Sequence, residues 1–209
     1  MIQELMNYVS TNASYIINQF AIHIYISVIG VVLTLIVGFP LGVFLSVNQK
    51  VATLVIGMIN VIQTIPSIGM LTVLLIVMGL GKNTVIATVF LYSLLPIVNN
   101  TYVGLNNVDP VYVDSARGVG MSRFQVLYMV KVPLALPVIL AGVRNALVIS
   151  VGITTIGSFV GAGGLGDIIL RGITITDGKS IIFVGAFLCA LIALGMDRVF
   201  NWLVKQENE

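Results

Sequence analysis

Long apolar stretches alternate with short charged segments along the chain. The stretches that are almost free of formal charge cover residues 21–47, 51–81, 83–108, 134–160 and 180–200. Because a helix rises about 1.5 Å per residue, roughly 20 apolar residues cross about 30 Å of hydrocarbon. The pattern therefore predicts an all-α integral membrane protein with about five transmembrane helices. Arg144 interrupts the fourth stretch, within snorkelling reach of one membrane surface.

Composition supports this reading. Of the 209 residues, 58% are hydrophobic and 9% are charged, whereas a soluble domain carries about 25% charged residues. The net charge of +2 is too small to form a nucleic-acid-binding surface, so nucleic acid is not an expected partner. The apolar composition makes membrane lipid an expected partner. One Cys and one His supply neither a disulfide nor a metal-ligand set.

The first 19 residues carry Glu4 and no Lys or Arg, which argues against the positive segment of a secretory signal. We interpret residues 1–19 as a short amphipathic or interfacial lead-in. Residues 1–209 as a whole are predicted to form a single transmembrane domain.

Orientation follows from the Lys and Arg residues of the short loops, which accumulate on the cytoplasmic side of membrane proteins. Five spans place the termini on opposite sides. With the N-terminus outside, the cytoplasmic set is Lys50, Arg117, Arg123, Lys131, Arg198 and Lys205, and the external set is Lys82, Arg171 and Lys179. We therefore predict a multi-pass plasma-membrane protein with its N-terminus outside and its C-terminus in the cytoplasm.

Prolines interrupt three of the predicted spans, and polar residues cluster in two of them. Pro40, Pro66 and Pro96 can each bend a helix because proline lacks a backbone donor. Polar groups at membrane depth face protein or a water-filled path rather than lipid. The candidate pathway residues are Gln63, Thr64, Pro66, Ser67, Asn99 and Asn100. The alternative is local bending with compensating packing.

Glycine pairs four residues apart let helix backbones approach closely. Gly38 with Gly42, and Gly157 with Gly161, have this spacing. We expect them to serve helix packing within this subunit rather than a dimer face.

A charged segment between the third and fourth spans, residues 109–131, has strong local signals, and we call it the island. Asp109 and Pro110 are typical of a helix start, Gly118 and Gly120 of its end. Ser122 with Gln125 forms a second start, a capping box. We predict two short helices joined by a glycine hinge, whose small residues leave room for another protein: Ser115, Ala116, Gly118 and Gly120. The alternative is a solvated loop with an interfacial helix.

A second glycine-rich segment, residues 160–179, is predicted on the external side, and we call it the glycine loop. Gly161, Gly163 and Gly166 match the letters of a dinucleotide fingerprint, but no strand precedes them, so that function is excluded. A re-entrant or interfacial helix that caps the pathway is expected, with Asp167, Arg171, Asp177 and Lys179 facing water; an ordinary tight loop is the alternative. The candidate external gate is Gly161, Gly163, Gly164, Gly166 and Asp167.

No catalytic constellation can be built from this chain, so an enzyme is not expected. His23 is interpreted as a packing or interfacial residue rather than a proton carrier. The eight acids fall in loops or at span ends, whereas a gradient-driven carrier normally needs an ionisable site inside the membrane. This favours transport driven by ATP bound elsewhere. A channel or gradient-driven carrier and a non-transporting scaffold remain alternatives.

The island also carries a family resemblance. Asp114, Ser115 and Ala116, then Gly120 four positions after Ala116, then Val130, Val132 and Pro133 reproduce the spacing of the EAA loop, E-A-A-x3-G-x9-I-x-L-P. That loop belongs to ABC importer permeases. Three further segments, residues 60–67, 91–102 and 152–167, resemble permeases of OpuC/OpuB-type importers of glycine betaine, carnitine and choline.

The resemblance implies a type I ABC importer permease (MetI-like) fold and an ATP-driven importer of a small osmoprotectant. The implied ATPase-coupling residues are Asp114, Ser115, Ala116, Arg117, Gly118, Gly120, Met121, Ser122 and Pro133. Implied partners are a cytoplasmic ABC ATPase dimer that binds ATP and Mg, a second permease subunit that is identical or paralogous, and an external substrate-binding lipoprotein. No cofactor is expected in this chain. Another small solute, such as an amino acid, is an alternative substrate.

Overall fold

The computed structural model describes residues 2–206, with side chains from residue 3 to residue 200. Ten α-helices span this part: α1 (Ile2–Thr11), α2 (Ala13–Ser46), α3 (Gln49–Thr64), α4 (Ser67–Met78), α5 (Lys82–Asn106), α6 (Pro110–Gly118), α7 (Arg123–Gln125), α8 (Val132–Gly157), α9 (Leu165–Thr174) and α10 (Lys179–Gln206). A π-helical turn, Val126–Lys131, joins α7 to α8, and a 3-10 turn, Ser158–Val160, follows α8.

Four helical segments of the described chain are long and apolar enough to cross a membrane. These are α2, α5, the continuous stretch Arg123–Val160 and the part of α10 up to Phe200. The α3 and α4 helices pass the same test together but are bent by 96°, which makes five spans if the pair is one span. The predicted all-α membrane fold is confirmed, with the second predicted span broken between Thr64 and Ser67.

The α5 helix lies at the centre of the bundle, between α2 and α8. A Cβ atom on Gly38 would lie 3.1 Å from Ile97, and one on Gly42 would lie 2.6 Å from Thr101, so α2 and α5 run parallel at close approach. On an adjacent face of α5, Gly142 of α8 packs against the Asn100 side chain, and a Cβ atom there would lie 2.7 Å from it.

Three of the four glycines in the predicted packing pairs therefore serve packing within the subunit, as expected. Gly157 faces Val85, where a Cβ atom would lie 2.6 Å from the valine side chain. Gly161 differs, because a Cβ atom there would meet open space. The reason is that the helix ends before it: Gly161 follows the 3-10 turn and has left-handed backbone angles.

The loops between the helices lie at the two ends of the bundle. The island end holds residues 47–48 and 109–131, and the glycine end holds the glycine loop and the turn at residues 79–81. A hydrogen bond from Gly81 N–H to the Val160 carbonyl, 2.9 Å, joins the two loops at the glycine end. The six basic residues predicted to be cytoplasmic all fall toward the island end, and the three predicted to be external fall at the glycine end.

The predicted lead-in is split between two helices. The α1 helix covers Ile2–Thr11, and α2 begins at Ala13, eight residues before the apolar stretch that predicted the first span. The Ser180 hydroxyl of α10 donates a hydrogen bond to Glu4, 3.1 Å, and this bond lowers the pKa of that carboxyl below its ordinary value. The contact attaches α1 to the glycine end of the bundle.

Large apolar side chains cover much of the outer surface. Ile76, Val77 and Leu80 are 75–80% exposed. A contiguous apolar surface of this kind is covered by another molecule in a working protein. In a membrane chain of this composition, hydrocarbon can supply that cover.

Candidate functional site

The predicted helix starts of the island are present. The Asp109 carboxylate accepts a hydrogen bond from Val111 N–H, 2.9 Å, with Pro110 in the first turn of α6. The Ser122 hydroxyl accepts from Gln125 N–H, and the Gln125 side chain accepts from Ser122 N–H at 2.8 Å. Both caps satisfy backbone donors that a helix leaves free in its first turn.

The hinge between the two helices requires glycine at one position. The α6 helix ends at Gly118, and Gly120 has φ +87°, a left-handed conformation that side chains other than glycine adopt at a cost. A Cβ atom would meet open space at both glycines. The backbone of the turn is therefore accessible from outside the molecule.

The island has an inner and an outer face. Val113 and Ala116 are buried against Val126, with Met121 packed beside them. Asp114, Ser115, Arg117, Gly118 and Gly120 are exposed. Ala116 is a correction to the predicted open surface: three residues after Val113, it lies on the same inward side of α6.

Apolar side chains add to the outer face. Val119, between the two glycines, is 76% exposed, and Phe124 is 68% exposed. An exposed pair of charges, Arg117 and Asp114 at 3.7 Å, lies beside them. An outer face with exposed apolar groups on an internally anchored helix is typical of a protein-docking surface.

A π-helical turn connects the island to the fourth span. Val132 N–H bonds to the Leu127 carbonyl five residues earlier, directly before Pro133, which has no N–H to donate. Pro133 is exposed at the start of α8. The island is thus continuous with a span through helical backbone rather than through a flexible linker.

A groove of about 610 Å³ opens between α3, α5, α8 and α10. Three predicted pathway residues, Gln63, Asn99 and Asn100, line it together. Within residues 3–200 the lining is Gln63, Leu95, Pro96, Asn99, Asn100, Arg144, Asn145, Val148, Ile149 and Asp197. Thr64, Pro66 and Ser67 are not part of this lining, and the Thr64 hydroxyl bonds to the carbonyl of Val61 in its own helix, 2.7 Å.

Gln63 compensates for a proline on the neighbouring helix. Pro96 has no N–H, so the carbonyl of Tyr92, four residues earlier in α5, lacks its usual helical donor. The Gln63 side-chain amide donates to that carbonyl at 2.7 Å. The Tyr92 hydroxyl in turn donates to the carbonyl of Ile65, at the break between α3 and α4. Both interruptions are therefore satisfied by the neighbouring helix, as membrane depth requires.

Arg144 and Asp197 form an ion pair across the groove wall. The Arg144 Nε and Nη2 atoms donate to the two carboxylate oxygens of Asp197, the second bond at 3.0 Å. Their side chains are 45% and 26% exposed. The sequence predicts Arg144 near a membrane surface, but no local pattern indicates this partner, 53 residues away.

The glycine loop is fixed by α2. The Gln19 side chain accepts a hydrogen bond from Gly164 N–H, 2.8 Å, and His23 Nδ1 accepts from Leu165 N–H, 3.2 Å. Gly164 has φ +87°, which turns the chain into α9 directly above these side chains. His23 is fully buried, which agrees with the interpretation of it as a packing residue, and no local sequence pattern indicates its partner.

The expected helix after the glycines is α9, but Asp167 is not simply solvated. It accepts hydrogen bonds from the Tyr15 hydroxyl and from Arg171 Nε, the latter at 3.1 Å. The Arg171 guanidinium carbon lies 4.1 Å from the centre of the Tyr15 ring. These contacts hold α9 against α2, in addition to the backbone bonds of Gly164 and Leu165.

Gly166 lies in the tightest contact of the candidate gate. A Cβ atom there would clash with the Thr155 carbonyl and lie 2.5 Å from the Ser158 hydroxyl. Gly163 packs on α2, where a Cβ atom would lie 3.0 Å from the Gln19 side chain. Gly163, Gly164 and Asp167 therefore contact α2, Gly166 packs on α8, and Gly161 is the open one.

Comparison with known proteins gives the family. Residues 30–207 match the family described as "Binding-protein-dependent transport system inner membrane component". The glycine betaine/carnitine/choline transport system permease protein OpuCD of Bacillus subtilis (strain 168) is 52% identical over 203 residues, which cover 97% of this chain and 89% of that protein. The choline transport system permease protein OpuBD of the same organism is 49% identical over 203 residues, covering 97% and 90%.

A solved structure confirms the fold. An inward-facing form of the MetNI methionine ABC transporter matches with a TM-score of 0.81 at 20% identity, covering 91% of this chain and 95% of that chain. The chain thus has a MetI-like fold. This chain belongs to the family of inner-membrane components of binding-protein-dependent transport systems, as a multi-pass permease of the OpuC/OpuB type.

Proposed function

We propose that this chain is the transmembrane subunit of an ATP-driven importer that moves a small osmoprotectant into the cell. Glycine betaine, carnitine and choline are the solutes in the name of the relative that is 52% identical. A separate ATPase dimer supplies the energy, and it holds the ATP and Mg²⁺. This chain contributes the pathway and the coupling surface.

The observation that carries the proposal is the outer face of the island. Gly118 and Gly120 have open space beside them, and Val119 is 76% exposed. The inner face is anchored by Val113 and Ala116. A short rigid helix with an open backbone fits a groove in a partner, and the π-helical turn before Pro133 transmits its displacement to α8. ATP binding would close the ATPase and rock the spans between inward-open and outward-open forms.

The open groove is the reason to propose a second permease subunit. It is open along one side of this chain and carries an ion pair and amide side chains. Such groups at membrane depth face a partner or water rather than lipid. A second permease, identical or paralogous, would complete the pathway from the opposite side.

The glycine end is the surface that we expect to receive the solute from outside. Its loop, α9 and the turn at residues 79–81 form one surface held by hydrogen bonds. We place the N-terminus outside because more basic residues fall at the island end. An external substrate-binding lipoprotein would deliver the solute to this surface, with Gly161, Gly163, Gly164, Gly166 and Asp167 as the gate.

The test is solute uptake by vesicles that contain the transporter purified with its partners from its native membrane. One set contains internal ATP and no ion gradient, and the other has proton or sodium gradients and no ATP. We expect uptake of an osmoprotectant in the first set and none in the second. Uptake driven by a gradient alone would contradict the proposal.

One observation favours a second candidate, a gradient-driven carrier. Asp197 is an acid within a candidate span and lines the groove. Its bidentate pairing with Arg144 lowers its suitability as a proton carrier, because protonation would break the pair. The two vesicle sets described above separate this candidate from the ATP-driven importer.

A further inference from the structure

Among the described residues that line the groove, Arg144 and Asp197 are the charged ones. The other lining side chains are amides and apolar groups. Arg144 follows the first residue of α8, Val132, by 12 positions, which is roughly 18 Å along the helix axis. At that depth the pair sets the polarity that a solute in the groove meets.

The guanidinium of Arg144 has a free edge. Its Nε and Nη2 atoms bind the Asp197 carboxylate along one side of the plane. A guanidinium has five N–H groups, and this pairing uses two. In the described part of the chain no second acceptor contacts the group, and its side chain is 45% exposed. The end of the fork, formed by Nη1 and Nη2, can bind a carboxylate with two parallel hydrogen bonds.

The pair discriminates between charge types. The net charge of the pair is zero. A lone anion is attracted by Arg144 but repelled by Asp197, and a lone cation is attracted by Asp197 but repelled by Arg144. A zwitterion gains from both ends, with its carboxylate on the free fork and its ammonium toward Asp197. Glycine betaine and carnitine carry a carboxylate and a quaternary ammonium, whereas choline carries the ammonium and no carboxylate.

We propose that Arg144, held by Asp197, is a specificity-determining residue that binds the carboxylate of zwitterionic solutes in the groove. The inference rests on the proposed function, because it takes the groove as part of the solute path. Asn99 and Asn145, on the same lining, supply neutral hydrogen bonds to any solute. The carboxylate preference comes from the ion pair.

The first test is Arg144→Lys in the transporter purified with its partners and reconstituted in vesicles with internal ATP. Lysine keeps the charge but loses the planar fork. We expect uptake of glycine betaine and carnitine to fall roughly tenfold relative to choline, the loss of about one charge-assisted hydrogen-bonded contact. Arg198→Lys is the matched control, since Arg198 is exposed on α10 outside the groove lining. Equal losses for all three solutes would overturn the proposal.

The second test is the exchange Arg144→Asp with Asp197→Arg, which keeps an ion pair but reverses its direction. If the pair served only structure, the exchange would restore glycine betaine uptake to the unmodified rate. We expect uptake of glycine betaine to stay low while the protein remains in the membrane at normal amount. This test compares the uptake of glycine betaine only. If the unmodified transporter shows no ATP-driven uptake, the proposed function itself is refuted. That outcome does not depend on the variants.

Discussion

His23, fully buried in α2, accepts a hydrogen bond at Nδ1 from the backbone N–H of Leu165, the first residue of α9, at 3.2 Å. One turn earlier on α2, Gln19 accepts from Gly164 N–H at 2.8 Å. The first N–H groups of a helix have no partner within it. The α2 helix therefore caps α9 from a distance of more than 140 positions in the chain.

Replacing Gln19 with Leu should loosen the glycine loop. The change leaves Gly164 N–H buried without an acceptor, which costs about 1–3 kcal/mol. A Phe159→Cys reporter, in a chain whose Cys189 is replaced by Ala, should react faster with a membrane-impermeant maleimide. Phe159 is 62% exposed and precedes the loop. Asn18→Leu, at an exposed neighbouring position, is the control, and equal labelling rates in all three proteins would contradict the capping role.

Gly166→Ala should destabilise the protein much more than Gly152→Ala. The added methyl group at Gly166 clashes with the Thr155 carbonyl, whereas a Cβ atom at Gly152 meets open space. Overpacking typically costs 1–3 kcal/mol, and alanine in place of an exposed helical glycine gains up to about 1 kcal/mol. The unfolding midpoint of each variant in detergent measures these two changes in stability. Equal midpoints for the two variants would show that α9 does not pack on α8 as described.

Gln63→Leu should destabilise the protein, and Pro96→Ala should suppress part of that loss. Without Gln63 the Tyr92 carbonyl has no donor, because Pro96 cannot supply one. Alanine at position 96 restores the N–H and the bond within α5. We expect a coupling of about 1–2 kcal/mol in a double-mutant cycle of unfolding free energies. Strictly additive effects would argue against the compensation.

Features encoded within a few residues could be predicted from the sequence. The caps at Asp109 and Ser122 depend on partners two or three positions away. The polar cluster around Pro66 marked the place where the second span breaks. Ala116 differs from the prediction because helical spacing, not side-chain size, decides its face: three positions after Val113, it shares the buried side of α6.

Features that depend on packing between spans could not be predicted. The partners of Arg144 and His23 lie 53 and 142 positions away. In lipid, helices are apolar on every side, so periodicity does not identify which face meets which neighbour. Glycine pairs such as Gly38 and Gly42 indicated close packing, but the identity of α5 as their partner required the structure.

A bulky residue at position 118 should abolish uptake without harming the fold. Gly118 closes α6 with open space beside it, so Gly118→Trp costs the isolated chain little. In the complex the indole would occupy the room that the ATPase needs. Gln49→Trp, exposed at the same end of the bundle, is the control. The measurement is ATP-driven uptake together with the amount of protein in the membrane, and normal uptake by Gly118→Trp would contradict the docking role.

Photo-crosslinking at the tip of the island tests the coupling claim most directly. A photoreactive amino acid replaces Val119, which is 76% exposed, or Ile173, which is 62% exposed at the glycine end. In the intact transporter, Val119 should form an adduct with a nucleotide-hydrolysing subunit, and Ile173 should not. An adduct of Ile173 with that subunit, or no such adduct from Val119 in a transporter that is active, would contradict the account.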